Sequence, residues 1–328
     1  MTTAGIPLRT EGRMPALDGA TGWLNSEPLT PGALRGRVVL VQFWTYTCIN
    51  WLRTLPYVRA WAGAYADHGL VVVGVHTPEF SFERDVENVR DAVEAMAIPY
   101  PVALDSGYAV WEAFANHYWP ALYFVDATGH IRHHVFGEGD YDRSEQVIRQ
   151  LLDEAGSDTT GRPLAPVTAE GVEAAADWDD VATGETYLGL GRDGYFASPE
   201  QPGPGSRAYS IPARLRHNHW ALSGSWNVGG EAAVLDRSGG RIAFAFHARD
   251  LNLVMGPVDR GGWARFRVRL DGGPPGDAHG VDVDDGGNGV LSGQRLYQLI
   301  RQPLPVADRR FEIEFDDPGV LATVFTFG

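Results

Sequence analysis

Cys48 has the most chemistry to offer, and it is the only cysteine among 328 residues. Before it runs Val38-Val39-Leu40-Val41-Gln42-Phe43-Trp44, continuous and β-rich, which reads as a buried strand. After it, from Ile49 to Tyr65, Leu52, Leu55, Val58 and Trp61 recur at helical steps. A sulfur at that junction sits at a helix N-terminus. Free backbone N–H groups and the helix dipole there favour the thiolate, bring its pKa below the ~8.5 of a free thiol and make it nucleophilic. The plain structural alternative is a small buried hydrophobe. One cysteine permits neither an internal disulfide nor a cysteine-built zinc cage.

Three further features bear on Cys48. Pro56 falls inside the helical pattern eight residues later, where proline normally kinks the chain. Trp119-Pro120 stands at the entrance of the strand Ala121-Leu-Tyr-Phe-Val-Asp, a good place for a cis peptide. Asp126-Ala-Thr-Gly then turns that strand into a hairpin with 131–136. On these residues, with Phe43-Trp44-Thr45-Tyr46-Thr47-Cys48-Ile49-Asn50, the sequence resembles the thioredoxin superfamily, and within it the TlpA/ResA-like and DipZ-like branch. The resemblance implies that Pro56 is the kink proline, that Pro120 is a cis-proline facing the reactive sulfur, and that Glu79 is an acidic residue near the active site. It also implies a second, β-sandwich domain related to carbohydrate-binding modules.

One position departs from the family pattern. Trp51 stands where the family has its second cysteine. A dithiol enzyme resolves its mixed disulfide with that second thiol; Cys48 needs an outside one. Trp51 either covers apolar surface or walls the sulfur against water. Thr45 lies at the spacing of a peroxiredoxin hydroxyl, or is simply a β-branched strand residue. Glu79 is a proton shuttle if buried, otherwise a helix-start or loop charge. His117, just before Trp119, is a candidate ion-pair partner for Cys48. Thr47 and Trp119 complete the supporting set.

The elements that must position these groups follow from the pattern. Strands at 38–44, 70–75, 101–104, 121–126 and 131–136 alternate with helices at 49–65, 82–96, 109–115 and 144–155, giving a mixed α/β sheet over 1–155. Residues 156–184 read as a linker. Residues 185–328, with alternating strands such as 241–247, 264–270 and 310–315 between Gly- and Asp-rich turns, read as an all-β sandwich of jelly-roll, carbohydrate-binding-module-like type.

Composition removes other classes. A net charge of −15 argues against nucleic acid and anionic membrane as partners. All 27 basic residues are arginine, which excludes Schiff-base chemistry and the Gly-Lys-Ser/Thr phosphate loop. No run approaches a membrane span, and the start Met1-Thr-Thr-Ala-Gly-Ile-Pro lacks a signal-peptide core, so the expected address is the cytoplasm. No cofactor is called for. His133-His134 would point to opposite strand faces; His217 and His219 would share one but lack a completing ligand. The run from Asp282 through Asp284, Asp285 and Gly286 to Asn288 departs from a calcium loop and reads as a polar turn. Tyr187, Tyr195, Trp220, Trp226, Trp263 and Tyr297 could stack sugars, though core packing or dimerisation is the preferred role for their domain. The expectation is a single-thiol redox protein acting on a protein disulfide or a peroxide and reset by an external or low-molecular-weight thiol. A non-catalytic binding module and a one-cysteine peroxidase stand as alternatives.

Overall fold

A computed structural model describes residues 6–191, 194–203 and 205–328. It divides into two compact units, one ending at Glu173 and one beginning at Ala174. The first five residues lie outside the described set.

The first unit is built on β3 (Val38–Trp44), which is buried along its whole length. Around it stand β1 (Gly12–Arg13), β2 (Gly22–Leu24), β4 (Leu70–His76), β5 (Val102–Leu104), β6 (Ala121–Val125) and β7 (His130–Phe136), in the order β1-β7-β6-β3-β4-β5-β2. β3 is parallel to β4 and antiparallel to β6. Alternate side chains therefore leave the sheet on opposite faces. Val39, Val41 and Phe43 join Val73, Val75, Tyr123 and Val125 in one core layer. Trp44 goes the other way and stacks on Trp51 of α1 (Ile49–Tyr65) at 4.3 Å. The two edge strands β1 and β2 were not legible as strands in the sequence.

Helix α1 carries Pro56 in its interior and buries most of its first half. It is tied to α4 (Tyr141–Glu154) by the buried carboxylate of Glu145. That group accepts from Trp61 Nε1 at 2.9 Å and Tyr65 Oη at 2.5 Å. The helix expected over 82–96 is two elements: a 3₁₀ turn over Ser81–Arg84, then α2 (Val86–Ala95). Asp85 causes the break. Its backbone is extended and its carboxylate accepts from Glu87 N at 2.9 Å, the geometry of an N-cap. A short α3 (Ala109–Ala113) follows β5, with Asp105 accepting from the N–H groups of Val110 and Trp111.

Part of the stretch expected to link the domains is bonded to the first unit. Thr159 donates to Asp153, Ala165 N donates to Glu145 at 2.7 Å, and Glu173 receives Arg59 at 2.6 Å.

Among the described residues the second unit is an antiparallel β-assembly of eleven strands. Its strands are β8 (Thr186–Tyr187), β9 (Arg207–Tyr209), β10 (Trp220–Val228), β11 (Ala233–Leu235), β12 (Gly240–Phe246), β13 (Asp250–Pro257), β14 (Ala264–Leu270), β15 (Asn288–Leu291), β16 (Arg295–Arg301), β17 (Arg309–Phe315) and β18 (Val320–Phe327). The first half of β10 pairs with β12 and its second half with β11. One strand thus serves both layers of a sandwich. The switch falls at Gly224, with φ of +94°, where a Cβ would stand 2.9 Å from the Gly240 Cα. The layers meet through Phe244 on Phe325 and Phe266 on Tyr297.

Candidate functional site

β3 ends at Trp44, and Thr45-Tyr46-Thr47 turn the chain into α1. Cys48 is the N-cap of that helix: its carbonyl accepts from Leu52 N at 3.0 Å, and its side chain makes no capping bond. The first turn contains no acidic residue to offset the positive end of the dipole. Cys48 is half-buried as a residue, and its sulfur lies 3.7 Å from the Trp119 carbonyl oxygen, to which the thiol donates.

That carbonyl belongs to the peptide joining Trp119 to Pro120, which is cis, as the sequence indicated. The loop carrying it is fixed from two sides. Trp119 Nε1 donates to the Thr77 carbonyl at 3.0 Å, and its ring lies 4.3 Å from that of Trp111. The buried amide of Asn116 donates to the Tyr118 carbonyl at 3.0 Å and accepts from Tyr123 Oη at 3.1 Å. Sequence reasoning missed Asn116; an amide just ahead of a Trp-Pro pair was its only signal. Next to this loop Tyr118 and Phe136 are both exposed and stack at 4.7 Å.

A buried polar network begins at Thr47, the residue before Cys48 in the chain. The hydroxyl of Thr47 donates to Glu83 at 2.6 Å, and that of Thr45 bonds the same carboxyl. Thr45 also lies 3.5 Å from His76 Nε2. The other oxygen of Glu83 accepts from the N–H groups of Glu79 and Phe80, at 2.6 and 2.9 Å. Burial pushes the Glu83 carboxyl up to about 7, against the pull of these hydrogen bonds, and holds the His76 imidazole neutral, down to about 3. The fully buried carboxyl of this network is that of Glu83, whereas Glu79, the acidic residue named from the sequence, is half-exposed after β4 and contributes its backbone N–H. The 3₁₀ turn over Ser81–Arg84 carries Glu83 to the buried hydroxyl of Thr47. Thr45 and Thr47 were named from the sequence; the carboxylate between them was not.

Trp51 is fully buried, flat against Trp44, on the core side of α1. Room for the pair comes from Gly74 in β4, whose absent Cβ would stand 2.7 Å from Trp44 Nε1. His117 is exposed on the loop before Tyr118. Among the described residues no cluster of three or more His, Cys, Asp or Glu is arranged for a metal ion. His133 packs on Phe124 and His134 bonds Glu11. Asp284 accepts from the backbone and amide of Asn288, closing a turn. Of the six aromatics considered for sugar stacking, Trp220, Trp226 and Tyr297 are core residues, whereas Tyr195 and Trp263 are exposed.

Residues 18–134 match the AhpC/TSA family, and residues 183–328 match the thioredoxin-like C-terminal domain family. The thiol-disulfide oxidoreductase YkuV of Bacillus subtilis is 31% identical over 141 residues, 43% of this chain and 95% of its own length. The chain belongs to the thioredoxin superfamily. Protein DipZ of Mycobacterium bovis is 40% identical over 271 residues, 81% of this chain. This thioredoxin-like chain spans 38% of the DipZ length, and the match crosses both of its units. A solved thioredoxin-like protein in its oxidised form shares 33% identity over 45% of this chain and 99% of its own, with a TM-score of 0.41.

Proposed function

We propose that this protein is a single-cysteine thiol–disulfide exchange enzyme. The Cys48 thiolate attacks a protein disulfide; a Cys48–substrate disulfide forms and the substrate's other sulfur leaves as a thiolate. An external low-molecular-weight thiolate then attacks the substrate sulfur and expels Cys48. A second equivalent completes the turnover, so two external thiols become one disulfide while the substrate disulfide becomes two thiols. Cys48 is the nucleophile, and Trp119 and Pro120 line the sulfur and orient the substrate backbone. Glu83, through Thr47, takes up and returns the thiol proton in place of Glu79. Such a reductant belongs to a reducing compartment such as the cytoplasm.

The observation that carries this reading is a half-buried cysteine at the N-cap of α1, its sulfur facing the carbonyl beside Pro120. The name of YkuV supports disulfide chemistry for that protein, and the sequence likeness extends the proposal to this chain. Reduction of insulin disulfides by glutathione, followed with wild type and Cys48→Ser, tests it. Wild-type turnover that the variant lacks supports the reading. Equal rates would leave a binding module.

The AhpC/TSA match favours one further electrophile, a peroxide. There the thiolate attacks one oxygen, the O–O bond breaks, the sulfur becomes a sulfenate and the other oxygen leaves as water from hydrogen peroxide or as an alcohol from an organic hydroperoxide. Against it, the Thr45 hydroxyl is committed to Glu83 and His76. Mass spectrometry of Cys48 after a brief peroxide pulse separates the two substrates.

A further inference from the structure

A second site lies at the far end of the same sheet. Val39 and Val125 pair at the start of β3 and the end of β6, whereas Phe43 and Ala121 pair at the end next to Pro120. Over Val39 and Val125 opens a cavity of about 480 Å³, within the size range of small-molecule sites. Its apolar wall is formed by Met14, Leu17, Leu29 and Leu34 together with those two valines.

The lining has a definite charge. Arg13 and Arg35 belong to it, both are exposed, and neither guanidinium has a hydrogen bond or ion pair among the described residues. The one carboxylate in the lining, Asp126, is already committed. It accepts from Thr128 N, Thr128 Oγ1 and His130 N, and pairs with Arg132 at 3.1 Å. Burial raises its pKa, but these bonds together outweigh that and lower it below the usual carboxylate value. Two uncommitted, exposed arginines in the lining of a largely apolar cavity contrast with a chain of net charge −15. Arginine's planar fork matches a carboxylate through two parallel hydrogen bonds. We infer that this cavity binds a medium-chain monocarboxylate, its apolar tail on Leu17, Leu34 and Val39 and its head between Arg13 and Arg35.

The site is independent of Cys48, so its test does not depend on the redox proposal. Calorimetric titration of the full chain with decanoate, decylammonium and 1-decanol, below their aggregation concentrations, reads it directly. The expected result is one decanoate per chain, with affinity lower by roughly tenfold for each of Arg13→Gln and Arg35→Gln and unchanged in Cys48→Ser. Both arginines are exposed, so the variants keep the wild-type melting temperature. Absence of decanoate binding would overturn the inference. So would decylammonium or decanol binding as tightly as decanoate, or a double arginine variant that binds as wild type does.

Discussion

Replacing Glu83 by Gln removes a titratable group from the interior without changing its size. Burial raises this carboxyl from 4.5 to about 7 in the folded protein. A raised carboxyl pKa means that the folded state holds the proton more tightly than the unfolded chain does. Its contribution to stability is present below about 4.5 and is lost as pH rises through about 7. The full span corresponds to about 3 kcal/mol, and the part between pH 5 and pH 8.5 to roughly 2–3 kcal/mol. The Gln variant carries no such dependence. Urea unfolding of both proteins at the two pH values isolates it, because every other titrating group cancels in the comparison. Wild type is expected to lose that amount relative to Glu83→Gln on going from pH 5 to pH 8.5. A difference that stays flat, or that grows in favour of wild type, would show Glu83 ionised throughout and refute the assignment of a buried, neutral-capable acid beneath Thr47.

Two other substitutions probe the frame around the sulfur. Trp51→Cys, which removes a fully buried indole stacked on Trp44, is expected to cost about 3 kcal/mol in urea unfolding. The same variant is expected to close a disulfide with Cys48 under glutathione disulfide, read as loss of both free thiols; two persisting thiols would contradict the placing of residue 51 as the lost partner. Glu145→Gln weakens three hydrogen bonds that hold α1 and the chain beyond α4, those from Trp61, Tyr65 and Ala165 N. A loss of about 2 kcal/mol is expected from the urea midpoint.

The parts of the site that lie close together along the chain were legible in the sequence. Cys48 between a β-rich run and a helical repeat could stand only at a helix start, and Trp119-Pro120 before a strand announced its own geometry. The parts that depend on tertiary contact were not. Glu79 and Glu83 are four residues apart in one loop, and nothing in their spacing says which one turns inward. The choice is made by the 3₁₀ turn and by Asp85, which stops what reads as one continuous helix. The fate of Trp51 depended on a partner across the sheet. Its trace in the sequence is Gly74, a glycine amid valines where the strand would otherwise collide with Trp44. In the second unit the alternation gave the sandwich, but which aromatics face solvent depended on register, and half of those considered for sugars turned into the core.

The reactivity of Cys48 is the claim on which the catalytic account depends. As the only cysteine, it can be followed without ambiguity by iodoacetamide labelling and mass spectrometry. At pH 7 the folded protein is expected to be alkylated roughly tenfold or more faster than the same chain unfolded in urea, because the helix N-terminus favours the thiolate. A folded-state rate equal to or below that of the unfolded chain would contradict the account and leave Cys48 as a packing residue.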